Sequence, residues 1–156
     1  MGAAMNQQSE QFQAIPMSWQ GATAAYPLVR LHDASVTLEK WLRFVRRHCG
    51  PACQGAGLIA IQDCRGIIHA LFSYRVDLDL RIRKRLCITD LMVAHVAGSQ
   101  IDAAVAAAAR DVSAQFGCQM ITIEQPFHFP LHLRMSCPTA EALKRRAHPA
   151  ASTRLQ

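Results

Sequence analysis

Residues 86–124 read LCITDLMVAHVAGSQIDAAVAAAARDVSAQFGCQMITIE, and the fold turns on them. Residues 86–93 are a β run, and residues 94–98 are a turn. Ser99 stands where an N-cap belongs, with Asp102 three residues on. That pair is a weaker capping box than Ser-x-x-Glu, but its negative charge suits a helix start. Ile101, Val105, Ala108, Val112 and Phe116 then recur at helical spacing, a stripe wide enough to lie on a sheet. Gly117 ends the helix as a C′ glycine, and residues 120–124 form a short second β run stopped by Pro126. A strand, helix and strand of this length predict a βαβ crossover with parallel strands and a right-handed connection.

Upstream lie a helix and an antiparallel meander. Residues 28–31 suggest a short first strand, and Asp33 or Ser35 suits the cap of a following helix. Leu38, Trp41, Leu42, Val45 and Cys49 give that helix its buried stripe, and Gly50 and Pro51 end it. Residues 57–62 are a strand, and Asp63 to Gly66 a hairpin loop. From Ile67 a long strand alternates: Ile68, Ala70, Phe72, Tyr74, Val76 and Leu78 share one parity, with Asp77, Asp79, Arg81 and Arg83 on the other. Such alternation predicts one buried and one wet face. The chain turns back somewhere in 77–85, without a glycine or proline to mark the corner.

Three segments are expected. Residues 1–25, rich in Gln, Ala and Ser, read as a flexible leader. Residues 26–138 form a single domain, and residues 139–156 a short basic helix, capped by Thr139, and a tail. At 156 residues and 51% apolar content the chain can bury a proper core. It has no apolar run of membrane-spanning length and no secretory signal pattern, which points to the cytoplasm and to reduced thiols for its six cysteines.

The net charge of +6 is unevenly spread. Residues 30–47 and 75–85 each carry five basic against two acidic residues, and residues 134–156 five against one. Residues 86–124 run the other way, with Arg110 alone against Asp90, Asp102, Asp111 and Glu124. The basic stretches lack interleaved aromatics, so a solvated basic surface explains them better than nucleic-acid binding. His48, Cys49, Cys53 and Cys64 are soft ligands at close spacing, but there is no second ligand pair and Cys49 already belongs to the helix stripe, so no metal site is expected.

The order strand, helix, three strands, helix, strand resembles the GNAT superfamily of acyl-CoA-dependent N-acetyltransferases over residues 28–124. The resemblance rests on element order, the residue 57–76 hairpin, and residues 86–93 leading into a helix. It implies an α+β (α/β) fold: a mixed, mostly antiparallel sheet with a central βαβ unit and flanking helices. It also implies that Leu91, Met92 and Val93 offer backbone groups to the pantetheine arm of acetyl-CoA. Gly98, Ser99 and Gln100 would meet the pyrophosphate, and Asp90 would act as the general base toward an amine.

The sequence departs from the family at the phosphate turn, which is normally glycine-rich with an arginine or glutamine at its head. Here it reads His95-Val-Ala-Gly98-Ser-Gln-Ile-Asp102, with Gly98 alone matching and an aspartate at the helix start. No tyrosine follows Tyr74 to protonate the leaving thiolate. A capping Ser99 and a repelling Asp102 therefore predict weak or absent acetyl-CoA binding. Two functions stay open: an acyl-CoA-dependent N-acyltransferase acting on an unnamed amine, or a non-catalytic GNAT-like module that binds a partner or regulates. With few residues left to close the sheet, residues 120–124 should lie at an edge, covered by a second copy in a homodimer or by the tail.

Overall fold

The computed structural model describes residues 12–50, 53–78, 80–81 and 83–124. Strand β1 (Phe12–Pro16) leads through a 3-10 turn at Trp19–Gly21 into helices α1 (Ala22–His32) and α2 (Leu38–His48). Strands β2 (Ala56–Asp63), β3 (Ile68–Leu78) and β4 (Lys84–Val93) follow, then helix α3 (Ile101–Gln115) and strand β5 (Met120–Ile123). The sheet order is β1-β2-β3-β4-β5. The first three pairings are antiparallel and β4 pairs β5 in parallel, so the mostly antiparallel α+β sheet and the parallel strands around α3 are as expected.

Helices cover both faces of the sheet. Ile59, Ile61, Ala70, Phe72, Leu86 and Ile88 pack against Ile101, Val105, Ala108, Ala109 and Val112 of α3. On the other face Leu58, Ala60 and Leu71 pack against Ala22, Ala25, Leu28 and Val29 of α1 and Trp41 and Val45 of α2. This explains why residues 57–61 of β2 are buried in an unbroken run. It also corrects the reading of β3 as wet on one face: Leu71 and Ser73 are as buried as Ala70 and Phe72, because α1 and α2 lie over them. Only the far end of β3, from Tyr74 onward, keeps a wet face.

The start of the domain differs from expectation in three places. Residues 12–25, expected as part of a leader, form β1, the 3-10 turn and the first turn of α1. Residues 28–31 are helix rather than strand. Ala22, Ala25, Leu28 and Val29 make a helical stripe that Pro27 hides: an internal proline removes one hydrogen bond, and the buried contacts outweigh that loss. The cap of α2 is Thr37, whose hydroxyl accepts from Lys40 N–H at 3.3 Å. Asp33 is engaged one turn earlier, where its carboxylate accepts from the N–H and hydroxyl of Ser35. In the α2 stripe, Trp41 and Val45 are buried, whereas Leu38 is exposed.

At the other end of the chain, α3 stops as its sequence dictates, with Gly117 in the left-handed region at φ 65°. β5 is an outer strand of the sheet among the described residues. The expected helix after Thr139 lies outside those residues.

Trp41 joins the two helices of one layer. Its side chain is 2% exposed, and its indole N–H donates to the Ala22 carbonyl at 2.7 Å. Trp41→Ala is expected to cost about 3–5 kcal/mol in urea unfolding, since it leaves both a cavity and an unpaired carbonyl.

The β2–β3 hairpin is set by Asp63, whose Oδ1 accepts from Arg65 N–H at 2.9 Å and Ile67 N–H at 3.0 Å while Oδ2 meets His69 Nε2 at 3.0 Å. The His69 bond, helped by those two amides, holds the Asp63 carboxyl down at about 2. A depressed carboxyl stabilises the fold above its unfolded value of 3.8 and loses that contribution as pH falls toward 2. In acid unfolding followed by circular dichroism, Asp63→Asn should flatten the pH dependence in that window.

Candidate functional site

The site grows from an irregularity in β4. Leu86 and Ile88 face α3, so strict alternation would carry the even positions on along that face. Instead Leu91 and Val93 join the α3 cluster, while Met92 and Ala94 pack with the α1–α2 cluster. One extra residue restores the match. The register with β3 shifts between Ser73↔Thr89 and Leu71↔Met92, and Asp90 stands at φ 49°, the one left-handed non-glycine residue among those described. This is a β-bulge, which re-aims the strand beyond it.

Ser73 holds the bulge from the neighbouring strand. Its hydroxyl, on a residue 1% exposed, lies 2.9 Å from Asp90 Oδ2 and 3.1 Å from the Thr89 carbonyl, and in close contact with the Thr89 hydroxyl. Its one proton serves one of these oxygens, and the Thr89 hydroxyl can donate into it. The Asp90 carboxylate is therefore turned toward β3, and its partner is a serine rather than an arginine of the preceding strand.

Beyond the bulge, the flank of β4 away from β3 is left open by β5 among the described residues. Pairing with β5 runs from Arg85↔Met120 to Ile88↔Ile123, and Glu124 N–H closes it on the Ile88 carbonyl at 2.8 Å. On the β3 side, Ala94 N–H donates to the His69 carbonyl at 2.8 Å. Neighbouring amides in a strand point opposite ways, so Val93 N–H points away from β3. It donates to Nε2 of His32, the last residue of α1, at 3.1 Å. Burial foremost, with the nearby His95 imidazole, pushes the His32 pKa down; the Leu28 carbonyl acts weakly the other way.

The start of α3 adjoins this flank. Gly98 adopts φ 75° with open space where a Cβ would stand, so the turn needs glycine and a ligand can approach it. Ser99 is not the cap. The N-cap is Gln100, whose side chain makes no capping hydrogen bond. Ser99 instead donates its own N–H to the Val96 carbonyl, and its buried hydroxyl has no hydrogen-bond partner among the described residues. Asp102 lies in the first turn as expected, with its carboxylate 3.9 Å from His95 Nδ1.

The basic residues of the β3–β4 hairpin are elsewhere. Lys84 Nζ donates to the Phe116 carbonyl beyond the C-terminal end of α3. That helix is 15 residues long, hence about 22 Å, so the hairpin sits at the opposite end from Gly98. Below the bulge, on the face that α1 and α2 leave bare, Arg75 bridges Asp77 at 3.0 Å and Glu124 at 2.8 Å. Its guanidinium holds the Asp77 carboxyl low, and burial pushes the neighbouring Cys87 thiol up. His48 Nδ1 lies against the Phe44 carbonyl and the Cys53 thiol donates to the Arg47 carbonyl; no group of three potential metal ligands exists among the described residues.

Solved structures share this architecture along nearly their whole length. Glucosamine-6-phosphate N-acetyltransferase from Arabidopsis thaliana is 16% identical, with a TM-score of 0.63 over 94% of this chain and 97% of that one. A ribosomal-protein-alanine N-acetyltransferase from Brucella melitensis biovar Abortus 2308 is 9% identical, at 0.64 over 93% and 97%. An aminoglycoside N-acetyltransferase in complex with CoA is 9% identical, at 0.66 over 93% and 95%. The chain has the GNAT fold. No family model and no curated protein sequence matches it. Of the residues that the sequence singled out, Asp90, Leu91, Met92 and Val93 lie on β4, with the Asp90 carboxylate turned to β3, and Gly98, Ser99 and Gln100 lie before α3. Of these, Met92 shares the side of Ala94, whose N–H bonds β3, so Leu91 and Val93 supply the outward groups.

Two residues of the site were not singled out. His32 was hidden by the misread helix, although its place three residues after Val29 puts it on the buried stripe of α1. Ser73 was hidden by the assumption of a wet face. The spacing of Ile88, Leu91 and Val93 was the available sign of the bulge.

Asp90 tests that geometry. A β-branched side chain is strained at φ 49°, whereas Asn tolerates it and still accepts from Ser73. Asp90→Val should cost about 2–4 kcal/mol in chemical denaturation, and Asp90→Asn less than about 1 kcal/mol.

Proposed function

We propose that this protein is an acyl-CoA-dependent N-acyltransferase that acts on a primary amine. The observation that carries this reading is the flank of β4 that β5 leaves open among the described residues, beside a helix start that the Gln100 side chain does not cap. The residues present fit the cofactor. The first N–H groups of α3, which the Gln100 side chain does not cap, would hold its phosphates, with Gly98 giving room. The outward backbone groups of Leu91 and Val93 would hold the pantetheine arm, and Val93 N–H would polarise the acyl carbonyl. When bound, the cofactor supplies the acyl group as an activated thioester.

Of the two terms that lowered the expected affinity, the Ser99 cap is gone. Asp102 stays as an unfavourable charge, with the His95 imidazole 3.9 Å from it. Such a charge at a helix start is worth about 0.3–1 kcal/mol, a penalty of about two- to fivefold rather than a block. The chain has no helix among its described residues long and apolar enough to cross a membrane.

Titration calorimetry with acetyl-CoA decides between this reading and a partner-binding module. Saturable binding is expected, and Asp102→Asn should tighten it about two- to fivefold. A protein that gives no heat with acetyl-CoA, in either form, is not an acyltransferase of this type.

A further inference from the structure

The open flank of β4 carries a titratable group that points into it. Val93 N–H donates to His32 Nε2, so that nitrogen keeps its lone pair and the proton of the neutral ring sits on Nδ1. His32 is half-buried, and the titratable group acting on it is His95, from the turn after β4. Both effects favour the uncharged ring, so near neutral pH it is a neutral base in one tautomer. Asp90 is placed differently: its carboxylate is bonded to Ser73, on the β3 side of β4 and away from the flank.

We infer that His32, not Asp90, takes the proton from the acceptor amine. The inference rests on the acyltransferase reading above. An alkylammonium has no lone pair until it loses a proton, so transfer needs a neutral acceptor at the reacting carbonyl. His32 already bonds the amide that would polarise that carbonyl. A carbonyl oxygen that took over Val93 N–H would release the Nε2 lone pair beside the carbonyl under attack. The proton then passes from the ammonium nitrogen to Nε2. The freed lone pair forms the C–N bond, and the C–S bond breaks with its electron pair on sulfur. The sulfur takes up the second proton, shed by the new amide nitrogen, and the imidazolium returns its proton to water. Charge and atoms balance, and no tyrosine is needed to protonate the thiolate.

The test uses the full chain, acetyl-CoA, and n-propylamine as the acceptor. In the free protein, nitrogen NMR should show His32 Nε2 unprotonated at neutral pH, and acetyl-CoA should shift the Val93 amide. Thiol release should rise with pH along a limb below the ordinary histidine value of 6.5, because His32 must be neutral to act. His32→Gln keeps an oxygen for Val93 N–H but has no basic nitrogen. It should bind acetyl-CoA as the parent does, lose about 100-fold or more in rate, and lose the limb. Asp90→Asn should keep the limb. Three results overturn the assignment while cofactor binding stands: a His32→Gln protein with its rate and limb intact, an Asp90→Asn protein without the limb, or bound acetyl-CoA that releases no thiol to the amine. A parent protein that shows neither heat nor any movement of the Val93 amide with acetyl-CoA removes the acyltransferase reading, and this inference with it.

Discussion

A single inserted residue in β4 governs most of what the sheet can do. Up to Ile88 the strand is an ordinary member, bonded to β3 on one side and β5 on the other. At Asp90 the backbone enters the left-handed region, and the alternation of faces slips by one. Without that slip, Leu91 and Val93 would leave the α3 core and face α1 and α2. With it, β4 keeps its apolar contacts on both faces. The left-handed backbone costs free energy, and the buried Ser73 hydroxyl returns part of it by bonding Asp90 and Thr89.

Charge is arranged along the length of α3 rather than around it. The helix start holds Gly98, Ser99, His95 and Asp102, and its far end receives Lys84, a cation where the helix dipole is negative. The basic hairpin therefore favours the helix C-terminus and contributes nothing within a screening length of the Gly98 turn. On the proposed reading, phosphate recognition at that turn would fall to backbone N–H groups. Such groups are fixed dipoles that stay in place at any pH.

How much of this was legible in the residues depended on the distance over which each signal acts. The βαβ unit was legible because its cues are local: helical spacing from Ile101 to Phe116, Gly117 at the stop, and a proline after β5. Residues 12–32 were not, because burial of a helix that contains Pro27 is decided by Trp41 and Leu71, far along the chain. Ser99 looked like a cap, since a serine before a helical stripe usually is one. Its N–H instead closes a turn on Val96, which moves the helix start by one residue and points the hydroxyl inward. Asp90 was found as a residue but not as a geometry: its φ comes from the pairing of β4 with β3, which no single strand records.

The helix that presents this turn owes its height above the sheet to very small side chains. Ala106, Ala108 and Ala109 are at most 3% exposed and pack directly on the strands, so the helix axis lies as low as methyl groups permit. Added bulk at those positions has no room to turn aside and would lift or tilt the whole rod. A rigid helix pivots about its contact point, so such a tilt is felt most at its ends. The placement of the Gly98 turn beside β4 is thus fixed by alanines two helical turns away that touch no ligand, and enlarging one of them would loosen the site while leaving each of its residues in the sequence unchanged.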